Sequence, residues 1–351
     1  MAYGFIFLVL SALRALISSL RARHIAYFAI LALLVLFSLF RFEVGCDWSG
    51  YYNQYYRGIT SEEISAFREP LWWALIYIFN YFELSYPWLN VAAGLMFFWG
   101  VNVLARRQPD PFSFLVLLFP VLILNMPMSA VRQAAAIGLV CYAYVLFLDG
   151  RRVRFVAVVL VASLLHSSAA AFLLLAPLIG GGYSSRRITI SAVVAIPGVY
   201  LLITGSAAEL AFQRYLDTDT EAAGGLLRVA MLSLTGAFFF LYLRPGWLAR
   251  FPKDYKLVSL GAMMMVADLA LVMISSVIGD RLGYYLVPLQ AVILARLPFL
   301  PVSKIWTVIA YLGLILFLFT WTWLSDIFQI CYVPYKTWLF GFPESSRFIY
   351  Y

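Results

Sequence analysis

Apolar residues run along this chain in stretches long enough to cross a bilayer, and polar residues fall mainly in the gaps between them. A helix needs roughly 20 such residues to traverse about 30 Å of hydrocarbon. The pattern predicts spans at 4–20, 25–40, 88–105, 112–127, 129–148, 188–204, 226–243, 257–277, 283–297 and 305–324. Two further segments are irregular. Residues 70–82 are apolar and aromatic but short, and residues 154–180 are long and carry His166, Ser167 and Ser168 at their middle. The predicted fold class is all-α: a polytopic integral membrane protein of about 10–12 transmembrane helices, broken or re-entrant near 70–82 and 154–180. Residues 1–351 read as a single transmembrane domain, with extracytoplasmic loops at 41–69 and 205–225. No repeat and no soluble domain interrupts it.

Composition agrees. Hydrophobic residues make up 64% of the chain and charged residues 12%, against about a quarter charged in a soluble domain. The net charge of +8 would suggest nucleic acid in a soluble protein, but here the basic residues sit in short runs between spans, so topology accounts for them. The runs are Arg21/Arg23, Arg106/Arg107, Arg151/Arg152/Arg154, Arg186/Arg187, Arg244/Arg250/Lys253/Lys256 and Arg296/Lys304. All fall on one side, the cytoplasm, provided that 70–82 dips into the outer side and returns, and that 154–180 enters from the cytoplasm and turns back near His166. Of the acids, only Asp110, Asp149 and Asp254 join them. The outer loops hold the varied chemistry, so function is expected there. The N-terminus lacks a basic leader and a small-residue cleavage site and reads as a retained helix.

Arg132, about one turn into the span 129–148, stands out. A charge at that depth costs several kcal/mol unless solvated or paired, and a helix N-terminus adds a dipole that favours anions. Phosphate binding is one reading, and an arginine snorkelling to the interface is the other. Arg281, in Gly-Asp-Arg-Leu-Gly-Tyr-Tyr, offers a second cation for a ligand, or a simple pair with Asp280. Arg214 is a third, in an outer loop where arginines are ordinary. The stretch from Arg41 to Tyr56 mixes aromatic residues with Glu43 and Asp47, which suits sugars and equally suits an interfacial aromatic belt. Glu69 precedes Pro70 at the opening of the short segment, as a helix cap or as a base. His166 is a possible proton acceptor or a hydrogen-bonded structural histidine. Cys46, Cys141 and Cys331 have no metal-ligand spacing. The threading puts Cys46 and Cys331 on the outer side, where a disulfide is permitted but not demanded. No metal motif, phosphate loop, GxSxG or dinucleotide fingerprint occurs in a suitable context.

These residues fall in an order that resembles the EpsG-like, Wzy-type bacterial polysaccharide polymerases. Arg41, Gly45, Asp47 and Tyr51 match an Arg-x-x-x-Gly-x-Asp-x-x-x-Tyr stretch after the second span. Glu69-Pro70 opens an aromatic segment, Ser129-Ala-Val-Arg132-Gln133 matches Ser-x-x-Arg-Gln, Ala162-Ser163-Leu-Leu-His166-Ser167 follows, and Arg281 with Tyr284 comes late. Cys46 stands where the family often has a hydroxyl residue. The likeness covers about 1–325, and the tail beyond matches nothing in it. It implies a membrane glycosyltransferase, independent of metal and nucleotide, in the bacterial inner membrane with its site facing the periplasm. It would move a growing glycan from undecaprenyl pyrophosphate to the next lipid-linked repeat unit, making O-antigen, hence lipopolysaccharide, or exopolysaccharide. Expected partners are that lipid-linked oligosaccharide, membrane lipid, a chain-length regulator and a flippase; neither cofactor nor nucleic acid is expected. In this reading Arg41, Arg132, Arg214, Arg281 and Tyr284 bind pyrophosphate or glycan, and Asp47, Glu69 or His166 handles the acceptor hydroxyl. A flippase for the same lipids and an O-antigen ligase remain as alternatives.

Overall fold

The computed structural model describes residues 2–57, 69–181, 184–187, 189–190, 193 and 224–344. The expected span at 188–204 and the loop at 205–225, with Arg214, lie almost wholly outside the described residues. Helices occupy most of the rest: α1 (Ala2–Leu16), α2 (Leu20–Leu39), α3 (Trp48–Arg57), α4 (Pro70–Tyr81), α5 (Tyr86–Ala105), α6 (Pro111–Ile123), α7 (Val131–Leu148), α8 (Arg152–Leu165), a 3-10 helix (Ser167–Leu178), α9 (Gly225–Arg250), α10 (Tyr255–Ile274), α11 (Ser276–Ala295), α12 (Ile305–Leu324) and α13 (Asp326–Tyr332). Seven of the described helices are long and apolar enough to cross a membrane, and α1 and α6 are shorter apolar helices. The chain is an all-α, multi-pass membrane protein.

Every residue of α6 is buried, and α7 and α11 are largely so; these three form the centre. The outer helices keep large apolar side chains exposed, such as Leu33 on α2 and Leu312 and Leu316 on α12, as lipid-facing surfaces do. Helices α5 and α7 lie closest. A Cβ on Gly100 would meet the Gly138 carbonyl oxygen at 1.8 Å, and one on Gly138 would meet the Met96 carbonyl oxygen at 2.4 Å. In lipid no hydrophobic effect drives helices together, so small residues that admit such approach carry the packing. Gly138→Ala is therefore expected to destabilise the protein by about 1–3 kcal/mol, read as a lowered thermal midpoint of the purified protein in detergent.

The basic runs gather on one face. The three acids expected with them are each ion-paired there: Arg23–Asp110 at 2.6 Å, Arg107–Asp149 at 3.0 Å and Arg296–Asp254 at 2.5 Å. Both irregular segments behave as the charge pattern requires. Segment α4 begins beside α7 at Glu69 and ends against α3, where Asn80 Nδ2 donates to the Tyr55 carbonyl at 3.2 Å, so both of its ends lie on the face opposite the basic one. Helix α8 rises from the basic face and stops at His166. The 3-10 helix then descends, and Arg152 Nη2 donates to the Ile179 carbonyl at 2.6 Å, closing the hairpin at its base. Fourteen residues of α8 rise only about 21 Å, so the turn at His166 sits below the far surface, shielded by protein as irregular backbone at membrane depth must be.

One expectation needs correction. The gap expected at 278–282, between the spans 257–277 and 283–297, is helical: Ser275 caps α11, its Oγ accepting from the Ile278 N–H at 3.4 Å, and the chain turns in a single residue. The disulfide left open by the threading is formed, between Cys46 and Cys331. Around it the tail straps the loop after α2. The Gly45 N–H donates to the Cys331 carbonyl at 2.8 Å, the Phe42 N–H to the Lys336 carbonyl at 2.9 Å, and Lys336 pairs with Glu43 at 3.2 Å. Gly45, at φ +104°, lies so close to Met128 that a Cβ would meet the Met128 carbonyl oxygen at 1.9 Å.

Candidate active site

Three elements meet below the far face: the start of α7, the start of α4 and the tip of the α8 hairpin. Arg132 is the second residue of α7. Its Nη1 lies 2.7 Å from Glu69 Oε2, its Nε donates to the Tyr51 hydroxyl at 3.3 Å, and its guanidinium stacks 5.1 Å from the Tyr51 ring centroid. Arg132 is therefore paired and not snorkelling. Burial raises the Tyr51 phenol above its ordinary value, against the pull of Arg132. Tyr51 thus accepts from Arg132 while keeping its own proton to donate.

Glu69 stands at the N-cap position of α4, but its side chain does not cap the helix. Its backbone is left-handed, at φ 63°, and no side-chain capping bond forms. An ordinary residue held there costs about 1–3 kcal/mol, and such strain clusters at functional sites. The twist turns the carboxylate inward: Oε2 faces Arg132, and Oε1 accepts from the Ser167 N–H at 3.1 Å, at the N-terminus of the 3-10 helix. His166 Nδ1 stands 3.8 Å from the same oxygen and 2.8 Å from Ser168 Oγ. Ser168 Oγ in turn lies 3.2 Å from the Tyr285 hydroxyl. With Ser168 donating to Tyr285, the imidazole holds its proton on Nδ1 and presents Nε2 as its basic nitrogen. Gln133 Nε2 donates to the Arg281 carbonyl at 2.6 Å, tying α11 to α7, and Arg281 lies within electrostatic reach of His166 and Tyr285.

The remaining candidates are placed differently. Asp47 binds Ser129, accepting from its Oγ at 3.2 Å, and contacts neither Glu69 nor His166 in any described bond. Arg41 is 1% exposed and spends its guanidinium on the carbonyls of Ser38, Val44 and Met128, at 3.1, 3.0 and 2.8 Å, so it clamps the loop rather than facing a ligand. Asp280 does not neutralise Arg281: adjacent residues on a helix diverge by about 100°, and Asp280 forms a two-point pair with Arg228 at 2.7 and 2.8 Å. Tyr284 goes with that pair, its ring 5.4 Å from the Arg228 guanidinium. Its neighbour Tyr285 reaches the Glu69 cluster instead.

Sequence reasoning missed Arg228, although the signal that singled out Arg132 was present: an arginine one turn inside an apolar span. Arg228 is nearly buried and its carboxylate partner is close to it in exposure. Removing one member of such a pair leaves an uncompensated charge, at about 3–5 kcal/mol. Arg228→Met should thus lower the yield and thermal stability of folded protein, and Arg228→Met with Asp280→Asn should recover most of the loss.

A family model described as the EpsG family matches residues 24–337. The chain belongs to the EpsG family. The match starts inside α2 rather than at the first residue, and it runs past 325 through most of the strap that carries Cys331. The first part of the tail, residues 326–337, expected to lie outside the family likeness, is thus within it. All of Glu69, Arg132, His166 and Arg281 fall in the EpsG-family region. No curated protein and no solved structure matches the chain.

Proposed function

We propose that this EpsG-family protein is a polysaccharide polymerase of the bacterial inner membrane, and that its site faces the periplasm. The observation that carries the reading is the convergence of Glu69, Arg132, His166 and Arg281 beneath the face opposite the basic loops. Arginine-rich loops face the cytoplasm in most membrane proteins. A disulfide on the far side suits an oxidising compartment.

The reaction is transfer of a growing glycan from undecaprenyl pyrophosphate to the terminal hydroxyl of a lipid-linked repeat unit. The acceptor oxygen bonds to the anomeric carbon of the donor sugar, the bond from that carbon to the pyrophosphate oxygen breaks, and the hydroxyl proton passes to Glu69. In the resting site Glu69 holds Arg132. As Glu69 takes the proton it loses the charge that holds the guanidinium, while the departing pyrophosphate gains charge. Arg132 then serves the leaving group with its planar fork. Arg281 adds a second cation, and Tyr51 supplies a neutral donor. The Ser167 N–H keeps the Glu69 carboxylate oriented, and the His166–Ser168–Tyr285 chain fixes the imidazole beside it. The free energy comes from the pyrophosphate ester, so no nucleotide is needed on that side of the membrane.

Purified protein reconstituted with a lipid-linked repeat unit is the test. A ladder of lengthened glycans supports polymerisation. A single product capped on lipid A core would make it a ligase, and passage of the lipid across the vesicle membrane without a new bond would make it a flippase.

A further inference from the structure

A groove on the flank of the bundle runs between α4, α5, α7 and α8. It has a volume of about 450 Å3, within the range of about 300–1,000 Å3 that holds drug-sized ligands, and the seven described residues lining it are all apolar or aromatic. Leu71, Met96, Trp99, Leu139, Val161 and Leu165 form most of its wall. Trp99 and Val161 are also exposed on the bundle surface, so the groove opens sideways toward lipid. Its other end reaches the polar cluster through the chain itself: Leu71 is two residues from Glu69, and Leu165 adjoins His166.

We propose that this groove receives the first isoprene units of the donor lipid, the molecule whose pyrophosphate meets Arg132. The inference rests on the polymerase reading and adds to it which of two substrate lipids lies here. In the donor, the isoprenoid is attached directly to the pyrophosphate that leaves, so its first units must lie beside the reacting centre. In the acceptor, a whole repeat unit separates the attacking hydroxyl from its lipid, so that lipid lies a saccharide's length away. The groove adjoins the reacting centre, and its wall is made by α4 and α8, the two elements that carry Glu69 and His166. Among the described residues, Tyr51 packs against one side of Arg132, and the neighbouring Gln133 is tied to α11. A branched, flexible hydrocarbon chain fits an apolar channel without polar groups, and its pyrophosphate then meets the arginines at the channel's end.

Filling the groove tests this. Leu139→Trp and Val161→Trp, singly and together, place bulk in a space open to lipid, and thermal melting in detergent checks that the fold is kept. Full-length protein in vesicles is given repeat units on the native long isoprenoid or, as the short donor, on an ethyl pyrophosphate that lacks isoprene units, each with the same long-tailed acceptor. The expected result is that the wild type prefers the long donor at least tenfold in kcat/KM. The filled variants should lose that preference through a raised KM for the long donor, with the short donor little changed. A preference that survives filling overturns the inference while leaving the polymerase reading intact. No polymer from wild type with either donor overturns both. A photoreactive isoprenoid pyrophosphate provides a second measurement. Labelling of α7 or α8 peptides should be competed by long-chain isoprenoid pyrophosphate, and competition by excess phospholipid alone would show a bulk acyl chain in the groove and overturn the assignment.

Discussion

Arg132→Ala is expected to reduce chain extension by about 100- to 1,000-fold, the usual consequence of deleting one donor aimed at developing charge. Both kcat and the KM for the lipid donor should suffer, because the guanidinium meets the pyrophosphate before and during its departure. The effect should exceed that of Arg281→Ala, since Arg132 pairs directly, at 2.7 Å, with the carboxylate that takes the proton. Arg132→Lys separates charge from geometry. Lysine restores the cation but lacks the planar two-point fork and cannot serve Glu69 and Tyr51 together. It should therefore recover only part of the activity. The product ladder and initial rates from reconstituted protein check this. Wild-type polymer length from Arg132→Ala would remove the guanidinium from the mechanism.

Glu69→Gln should be nearly as damaging, with a different signature. The substitution keeps size and a hydrogen-bonding oxygen for the Ser167 N–H, but it cannot accept the hydroxyl proton. Loss of a general base costs about 100- to 10,000-fold, and the loss should fall on kcat. The KM for the donor should stay level or drop, because the amide no longer competes with pyrophosphate for Arg132. His166→Ala should lower kcat less than Glu69→Gln does, since His166 stands 3.8 Å from the Glu69 carboxylate and makes no hydrogen bond to it. A larger loss of kcat in His166→Ala than in Glu69→Gln would exchange their roles.

The Arg228–Asp280 pair marks how stability and function divide among the arginines of this bundle. Its two-point geometry, with Arg228 on α9 and Asp280 on α11, gives it a bracing role between those helices. A neutral, well-packed replacement of both partners is therefore expected to be tolerated, as buried ion pairs often permit, whereas no such replacement exists for Arg132 and Glu69.

The order of apolar stretches by itself determined the helices, because backbone polar groups in hydrocarbon must be satisfied within the segment and only helices do that locally. The spread of Lys and Arg determined orientation, and with it the need for 70–82 and 154–180 to turn back. A charge one turn inside an apolar run, at Arg132, and a polar ring at the middle of another, at His166, carried their cost openly and so could be read. Partner choice could not be. Whether Asp280 turns to Arg281 or to Arg228, and which of Tyr284 and Tyr285 meets His166, depends on the rotation of α11 about its axis, where one residue is about 100°. The start of α11 at Ser276 rather than at 283 set that rotation. The joining of Cys46 to Cys331 depends on a tail strapped across the bundle from 285 residues away. Even Glu69, flagged from its place before Pro70, acquired its role only when α7 and the α8 hairpin arrived from opposite faces to meet it. Contacts between segments distant in sequence follow from packing, and packing has no local signature.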